Sequence, residues 1–415
     1  MRRSVLFLSL FTILLCSAVA LAQGAPAAQP QAPAAGGQPA GGQPDQELKN
    51  VQVLKGMSHD EVIQSMRFIS ASLGTECDTC HVGRSPDGQT HFDLDDKRPK
   101  KTARDMMKMV KGINDTYFEG RNQVTCATCH SGHENPRAFP PIADLDTLKA
   151  RLDEQQQARQ RQQQQAQNQA QGQQPPQQQG PPTPEAIAQR LGVPTPAALF
   201  AKYEQAIGGA DAIAKLTSRW DKYTTTNPVN GNTSSGETLK KSPDKVLATT
   251  SAGDRSNTTA YDGSVAWSKN PRGTQPITGP NLDQMKFVAN FYRDLRLSDR
   301  YQQARPGPKT QINGHEAYQV RGVVKGTRIQ EQLFFDAQSG LLLRRVTYQP
   351  TPMGAMPDQI DFEDWRDVAG VKVPFVLKTA TPDGMSVRAY SDVKFNTPAD
   401  DAKFAMPADA GKPTQ

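Results

Sequence analysis

The chain has 415 residues, a formal net charge of +6 and five cysteines. That length allows two or three domains. The excess positive charge is small and scattered, with no basic block interleaved with aromatics, so no nucleic-acid partner is expected. The first 22 residues read as a secretory signal: Arg2 and Arg3, an apolar run from Leu6 to Leu15, then Ala20-Leu21-Ala22 before Gln23. Cleavage there discards Cys16, and Arg2 and Arg3 account for two of the six positive charges. No later stretch reaches the run of about 18 apolar residues of a membrane span, so a periplasmic location without a transmembrane span is expected. Residues 23–46 are rich in Ala, Pro, Gly and Gln and carry too few large apolar groups to offset ordering entropy; they read as a disordered tether.

Residues 47–143 contain a design used twice. Ser58-His59-Asp60-Glu61 is a capping box, and Val62, Met66, Ile69 and Leu73 follow at helical spacing. Gly74 stops that helix, and a short turn delivers Cys77-Asp78-Thr79-Cys80-His81. The second copy starts from a weaker cap at Thr102 and Asp105. It places Met106, Met109, Val110, Ile113 and Tyr117 on one face, then passes Gly120 to reach Cys126-Ala127-Thr128-Cys129-His130. Each motif is C-x-x-C-H, the attachment signal for c-type haem. Two thioethers reach two vinyl groups of one porphyrin, and the adjacent His binds iron as proximal ligand. Cys77, Cys80, Cys126 and Cys129 are thus expected to hold two covalent c-type haems, with His81 and His130 on iron. These four are all the cysteines left after export. A rival use is one zinc ion bound by four thiolates.

From 144 to 183 the chain becomes a Gln/Pro-rich linker, with a polar helix possible as far as about Arg161. Residues 184–415 differ again. Helices are predicted over Pro184 to Leu191 and Ala197 to Ile207, the second stopped by Gly208-Gly209, with one helical interruption near Leu282 to Arg293. Short strands dominate the rest. Gln332 to Phe335 and Leu341 to Tyr348 flank Asp336-Ala337-Gln338-Ser339-Gly340 as a hairpin, and Asp262-Gly263, Asn313-Gly314, Gly370 and Asp383-Gly384 mark further turns. The pattern predicts a large curved antiparallel sheet. The fold class is therefore multidomain, a small α-helical domain followed by an antiparallel β domain.

Residues 50 to 141 resemble the multihaem cytochrome c subunit of photosynthetic reaction centres and shorter dihaem relatives. The matching stretches are Met57 to Glu61, Met66-Arg67, Leu73-Gly74, the A-R-x-M-x-x-M pattern of Ala103 to Met109, Ile113-Asn114, and Val124 to His130. The resemblance implies a Met on the preceding helix as sixth iron ligand: Met66 for the first haem, and Met106 for the second with Met109 as fallback. This chain has two motifs where the family has four haems, and it lacks a counterpart of the family's loop His between Tyr117 and Gln123. Residues 184–415 resemble the LolA/LolB-like lipoprotein-sorting family. The similarity runs through Tyr203 to Gly209, Lys241 to Lys245, Tyr261-Asp262-Gly263 with Trp267, Phe334 to Leu342, and Asp364 to Pro374. That resemblance implies an antiparallel half-barrel with lid helices and a lipid or lipoprotein as partner.

A six-coordinate haem suits electron transfer, because catalysis at iron needs an open position. No nucleophile elbow, paired carboxylates or phosphate-binding glycine loop is present. The expected function is one-electron transfer between redox protein partners, a carrier rather than an enzyme. The alternatives are a lipid- or lipoprotein-binding module with a haem redox sensor, and a haem enzyme such as a peroxidase. His59, His91, His133 and His315 are expected to be structural or surface residues.

Overall fold

The computed structural model describes residues 48–84, 90–136 and 182–408, together with 152–153, 155–157, 159–160 and 162–164. The expected signal and tether, Cys16 and most of the Gln/Pro linker lie outside the described residues. Those described within 152–164 are helical and exposed.

The N-terminal region is built on two long helices. Helix α1, His59–Leu73, opens with the expected capping box: the Glu61 amide donates to Ser58 Oγ at 3.3 Å, and the Ser58 amide donates to Glu61 Oε2 at 2.8 Å. Ser65 and Ser72 are buried in it without cost, each hydroxyl donating to the carbonyl four residues earlier. Gly74 closes α1 at φ +66°. A Cβ on Gly74 would also overlap the Gly132 carbonyl, while the Gly132 amide donates to Ser72 O at 2.8 Å. The end of α1 is thus pinned to the turn that follows the second motif. Helix α2, Cys77–Cys80, comes next, followed by a two-stranded ribbon of β1, Val82–Arg84, and β2, Thr90–His91.

Helix α3, Arg98–Tyr117, begins four residues before the expected cap at Thr102. Lys97 is its N-cap and Pro99 lies in the first turn, where a fixed φ and a missing N–H both suit a helix start. Its buried residues are Lys100, Arg104, Met107, Val110 and Asn114. Helix α4, Cys126–His130, completes the region. Of the apolar stripe expected on α3, Val110 turns inward, while Met106, Met109 and Tyr117 are exposed.

The rest is a 13-stranded open antiparallel sheet with helices on it. Strands β3 (Ser218–Thr226), β4 (Thr233–Lys241), β5 (Lys245–Ala252), β6 (Arg255–Tyr261), β7 (Ala266–Asn270) and β8 (Gly273–Ile277) run outward from the centre to one edge. The chain then crosses to the opposite edge through helices α8 (Gly279–Ala289) and α9 (Leu297–Arg300), after α5 (Pro184–Leu191), α6 (Pro196–Ala206) and α7 (Ala210–Ala214) before the sheet. It returns through β9 (Tyr301–Ile312), β10 (His315–Val324), β11 (Gln330–Asp336), β12 (Leu342–Thr351), β13 (Gly354–Val368), β14 (Val371–Thr381) and β15 (Gly384–Phe395), which pairs with β3. The expected hairpin is β11–β12, and each expected turn joins neighbouring strands. Strand twist accumulates across so wide a sheet and curls it. Leu199, Phe200, Tyr203, Ile207 and Ile213 of α6 and α7 pack with Val320, Leu333, Phe335 and Val371 in the main core.

The helical region docks on the sheet. Met353 and Met356, at the β12–β13 turn, share an apolar cluster with Val62, Phe68, Ile69, Met107 and Cys126. Arg67 grips Asp383 through two bonds of 2.7 and 3.1 Å, Asn122 Nδ2 donates to Pro352 O at 3.2 Å, and Asn281 bonds Asp60. Gly354 has no room for a side chain, because a Cβ there would overlap the Phe68 ring. Gly354→Ala is expected to destabilise this docking by about 1–3 kcal/mol. Urea unfolding followed both by helical far-ultraviolet circular dichroism and by the fluorescence of Trp220, Trp267 and Trp365, which lie in the sheet, checks it: the two transitions are expected to coincide in the wild type and separate in the variant.

Candidate haem-binding sites

Each C-x-x-C-H lies on one helical turn, so its cysteines, at i and i+3, share a side. In α2 the His81 amide donates to Cys77 O at 3.0 Å, and in α4 the Ser131 amide donates to Ala127 O at 3.1 Å. Thr125 caps α4, its amide donating to Thr128 Oγ1 at 3.0 Å. All four cysteines are free thiols; Cys126 is buried, Cys80 half-buried, and Cys77 and Cys129 exposed. Burial pushes the Cys80 and Cys126 thiols up.

The two histidines are held alike. His81 Nδ1 lies 3.0 Å from Phe92 O, and His130 Nδ1 lies 3.0 Å from His133 O. A carbonyl only accepts, so Nδ1 carries the proton in each ring and Nε2 keeps its lone pair. This is how a metal-binding imidazole is oriented and its tautomer chosen. Burial pushes the His81 imidazole down, against the opposing bond to Phe92 O, which favours the neutral ligand form.

A further layer fixes these carbonyls and loops. Lys100 Nζ donates to Phe92 O at 2.8 Å and Leu94 O at 2.6 Å, and pairs with Asp95 at 3.0 Å. Arg104 joins Asp95 at 2.8 Å. Bonds from Arg104 and Lys100 hold the Asp95 carboxyl well below the usual carboxylate range. Asn114 ties down the loop before α4: its Nδ2 donates to Val124 O at 2.7 Å, and its Oδ1 accepts from the amides of Gln123 and Val124 at 3.1 and 3.0 Å. Sequence reading did not assign roles to Lys100, Arg104 or Asn114. The available signal was a Lys, an Arg and an Asn at i, i+4 and i+14 on one helix, the spacing of a single face.

Helix packing pairs the units in a way that sequence order does not. Helix α1, which carries Met66, packs on α4, and α3, which carries Met106, touches α2. Met66 is half-buried beside the cluster that holds Cys126. Met107 is 5% exposed, whereas Met106 and Met109 are 42% and 48% exposed. With Tyr117, Phe92, Leu94 and Ile63 they are large apolar groups left at the surface of this one region. A flat apolar cofactor is the kind of group that such a surface accepts. The exposed apolar stripe and the free Nε2 atoms therefore fit haem.

The other histidines lie apart from these roles. His59 Nδ1 meets Asp60 at 3.4 Å at the start of α1, His91 lies in β2, and His315 meets Asp336 at 3.2 Å beside the β11–β12 turn. Among the described residues no three of His, Cys, Asp and Glu converge to hold a metal ion. The zinc reading needs both cysteine pairs around one ion, and they are not brought together.

No curated protein matches the chain. Among solved structures, a DUF1329 family protein from Desulfovibrio piger is 14% identical with a TM-score of 0.38, covering 50% of this chain and 96% of its own. A LolA superfamily protein from Nitrosomonas europaea is 15% identical with a TM-score of 0.36, covering 50% of this chain and 96% of its own. Over residues 17–177, which include both C-x-x-C-H motifs, the chain matches the family described as the photosynthetic reaction centre cytochrome C subunit, and this is the family that its N-terminal region resembles.

Proposed function

We propose that the protein is an exported dihaem c-type cytochrome that passes single electrons between protein partners, with the sheet as its partner- or ligand-binding part. The observation that carries this reading is the pair of identically held histidines, His81 and His130, each with Nδ1 on a carbonyl at 3.0 Å beside a C-x-x-C turn. A covalently bound haem supplies reversible one-electron chemistry at iron. Cys77 and Cys80 anchor one such group and Cys126 and Cys129 the other. His81 and His130 supply Nε2. Met66 would supply the thioether ligand of one and Met106, with Met109 as fallback, that of the other. Thioether ligation favours ferrous iron and raises the potential relative to a His pair. Lys100, itself paired with Asp95, holds the Phe92 carbonyl that orients the His81 ring. The signal over residues 1–22 supports a periplasmic site of action.

A potentiometric titration with haem stoichiometry tests the reading. Two covalent haems with separate midpoints, and no carbon monoxide adduct on the reduced protein, are expected. Rapid carbon monoxide binding at both irons would instead favour a haem enzyme. Met66→Ala is expected to lower one midpoint and leave the other in place; two unchanged midpoints would remove Met66 as ligand.

A further inference from the structure

The face of the sheet that carries the main core is ionic over much of its width. Register puts Arg219 and Asp221 of β3, Lys240 of β4, Glu331 of β11 and Arg345 of β12 on this face. The crossing segment after α8 adds Arg293 and Asp294, and α9 adds Arg300. Two pairs are internally balanced: Arg300 with Glu331 at 2.5 Å and Arg219 with Asp221 at 2.7 Å. Three cations remain, Lys240, Arg293 and Arg345. Asp294 is reached by Arg345 at 2.6 Å, by Arg293 at 3.2 Å and by Arg300 at 3.3 Å, and the Glu331 charge acts on Arg345 as well. Asp358, whose carboxyl burial pushes up, is a fourth carboxylate near Arg345 and Arg293, so the five cations named here exceed the carboxylates by one.

The donors of these cations are not all used. Lys240 Nζ donates to Val288 O at 2.9 Å, and among the described residues no carboxylate lies within ion-pair distance of it. Burial and the nearby Arg293 push the Lys240 ammonium down to about 8. Arg345, 5% exposed, has an Nε–H without a partner. Solvent does reach the cluster: the Asp294 side chain is 45% accessible, yet the surrounding protein weighs more on its carboxyl than any single neighbour does. Asp294 therefore lies in a recess that solvent enters. Uncompensated charge in such a place carries a desolvation cost that a counter-ion offsets.

We propose that this recess, between the crossing segment and the inner face of β3, β4 and β12, binds a small oxyanion, a carboxylate or a phosphate, on Lys240 and Arg293. Two guanidinium groups and an ammonium around a gap suit an oxyanion, which accepts several charge-assisted bonds at once. An acyl chain there would leave the same groups unpaired. The oxyanion comes either from a free solute or from the headgroup of an anionic lipid. This site stands apart from the haem reading and survives its failure.

The test uses the full-length haem-loaded protein in low salt, with inorganic phosphate, succinate and phosphatidylglycerol vesicles as probes in calorimetry and sedimentation. Saturable binding of one probe is expected, weakened about tenfold or more by Lys240→Met and by Arg293→Gln and retained by Lys240→Arg. The haem spectrum and near-ultraviolet circular dichroism of each variant serve as folding controls. Arg293→Gln decides the matter if Lys240→Met does not fold. Binding of phosphate or succinate assigns a free anion; binding of vesicles alone, sensitive to the same variants, assigns a headgroup. Absence of binding by all three probes, or binding that both variants leave unchanged, overturns the proposal.

Discussion

Replacing Cys77 and Cys80 with Ala is expected to remove one of two covalent haems and leave the other, so that the haem-to-protein ratio halves. The reason is local: on the dihaem reading the first haem's thioethers form only at those two sulfurs, and the second motif sits on α4, which packs on α1. The reciprocal variant, Cys126→Ala with Cys129→Ala, is expected to halve the ratio as well and also to lower stability. Cys126 is buried among Val62, Met107 and Met353, whereas Cys77 is exposed. Losing a buried side chain and the cofactor it anchors costs about 2 kcal/mol or more. A pyridine haemochrome assay on denatured protein gives the ratio, and urea midpoints give the stability. A ratio that stays the same in either double variant would defeat the dihaem reading.

Glu331→Ala is expected to destabilise the sheet by about 3–5 kcal/mol, because it strands Arg300 without its buried partner. Glu331 is 1% exposed and accepts four bonds: from Arg300 at 2.9 and 2.5 Å, Tyr301 Oη at 2.6 Å and Thr347 Oγ1 at 2.9 Å. The Arg300 side chain is 4% exposed, so water does not replace the carboxylate. Denaturant unfolding measures the loss as a lower midpoint at unchanged slope. Acid dependence follows from the same contacts. Burial pushes the Glu331 carboxyl up, but Arg300 and Arg345 outweigh it and hold the group below its ordinary value. A depressed carboxyl contributes stability that is fully present above the unfolded value of about 4.3 and is lost as pH falls through the folded one. The wild type should therefore lose stability below about pH 4, and Glu331→Ala should lose less over that interval. An equal acid slope in both proteins would show that the Glu331 charge does not stabilise the fold.

Local chemistry was legible where neighbours in the chain settle it. The Ser58–Glu61 box, the Gly74 stop, the paired C-x-x-C-H turns and the β11–β12 hairpin each depend on residues a few positions apart, and each stands where the sequence places it. The start of α3 differs from the expectation because Thr102 and Asp105 form a plausible cap, while Pro99, three residues before Thr102, is equally able to open a helix. The orientation of α3 was not legible at all. Met106 and Met107 differ by about 100° on the helix, and only contact with α1 and the β12–β13 turn sends Met107 inward.

The sequence by itself determined that two Cys/Cys/His turns follow two Met-bearing helices, and that a large antiparallel sheet comes after them, because periodicity, caps and turn residues act over short range. Only the tertiary structure decided that the imidazoles are tied through Nδ1 to the carbonyls of Phe92 and His133, and that Lys100 and Asn114 hold the loops around them. It also decided that Met353 closes the helical core from a turn more than 200 residues downstream. Those contacts join residues whose separation in the chain carries no periodic mark, so they exist only once burial of apolar surface has brought the segments together.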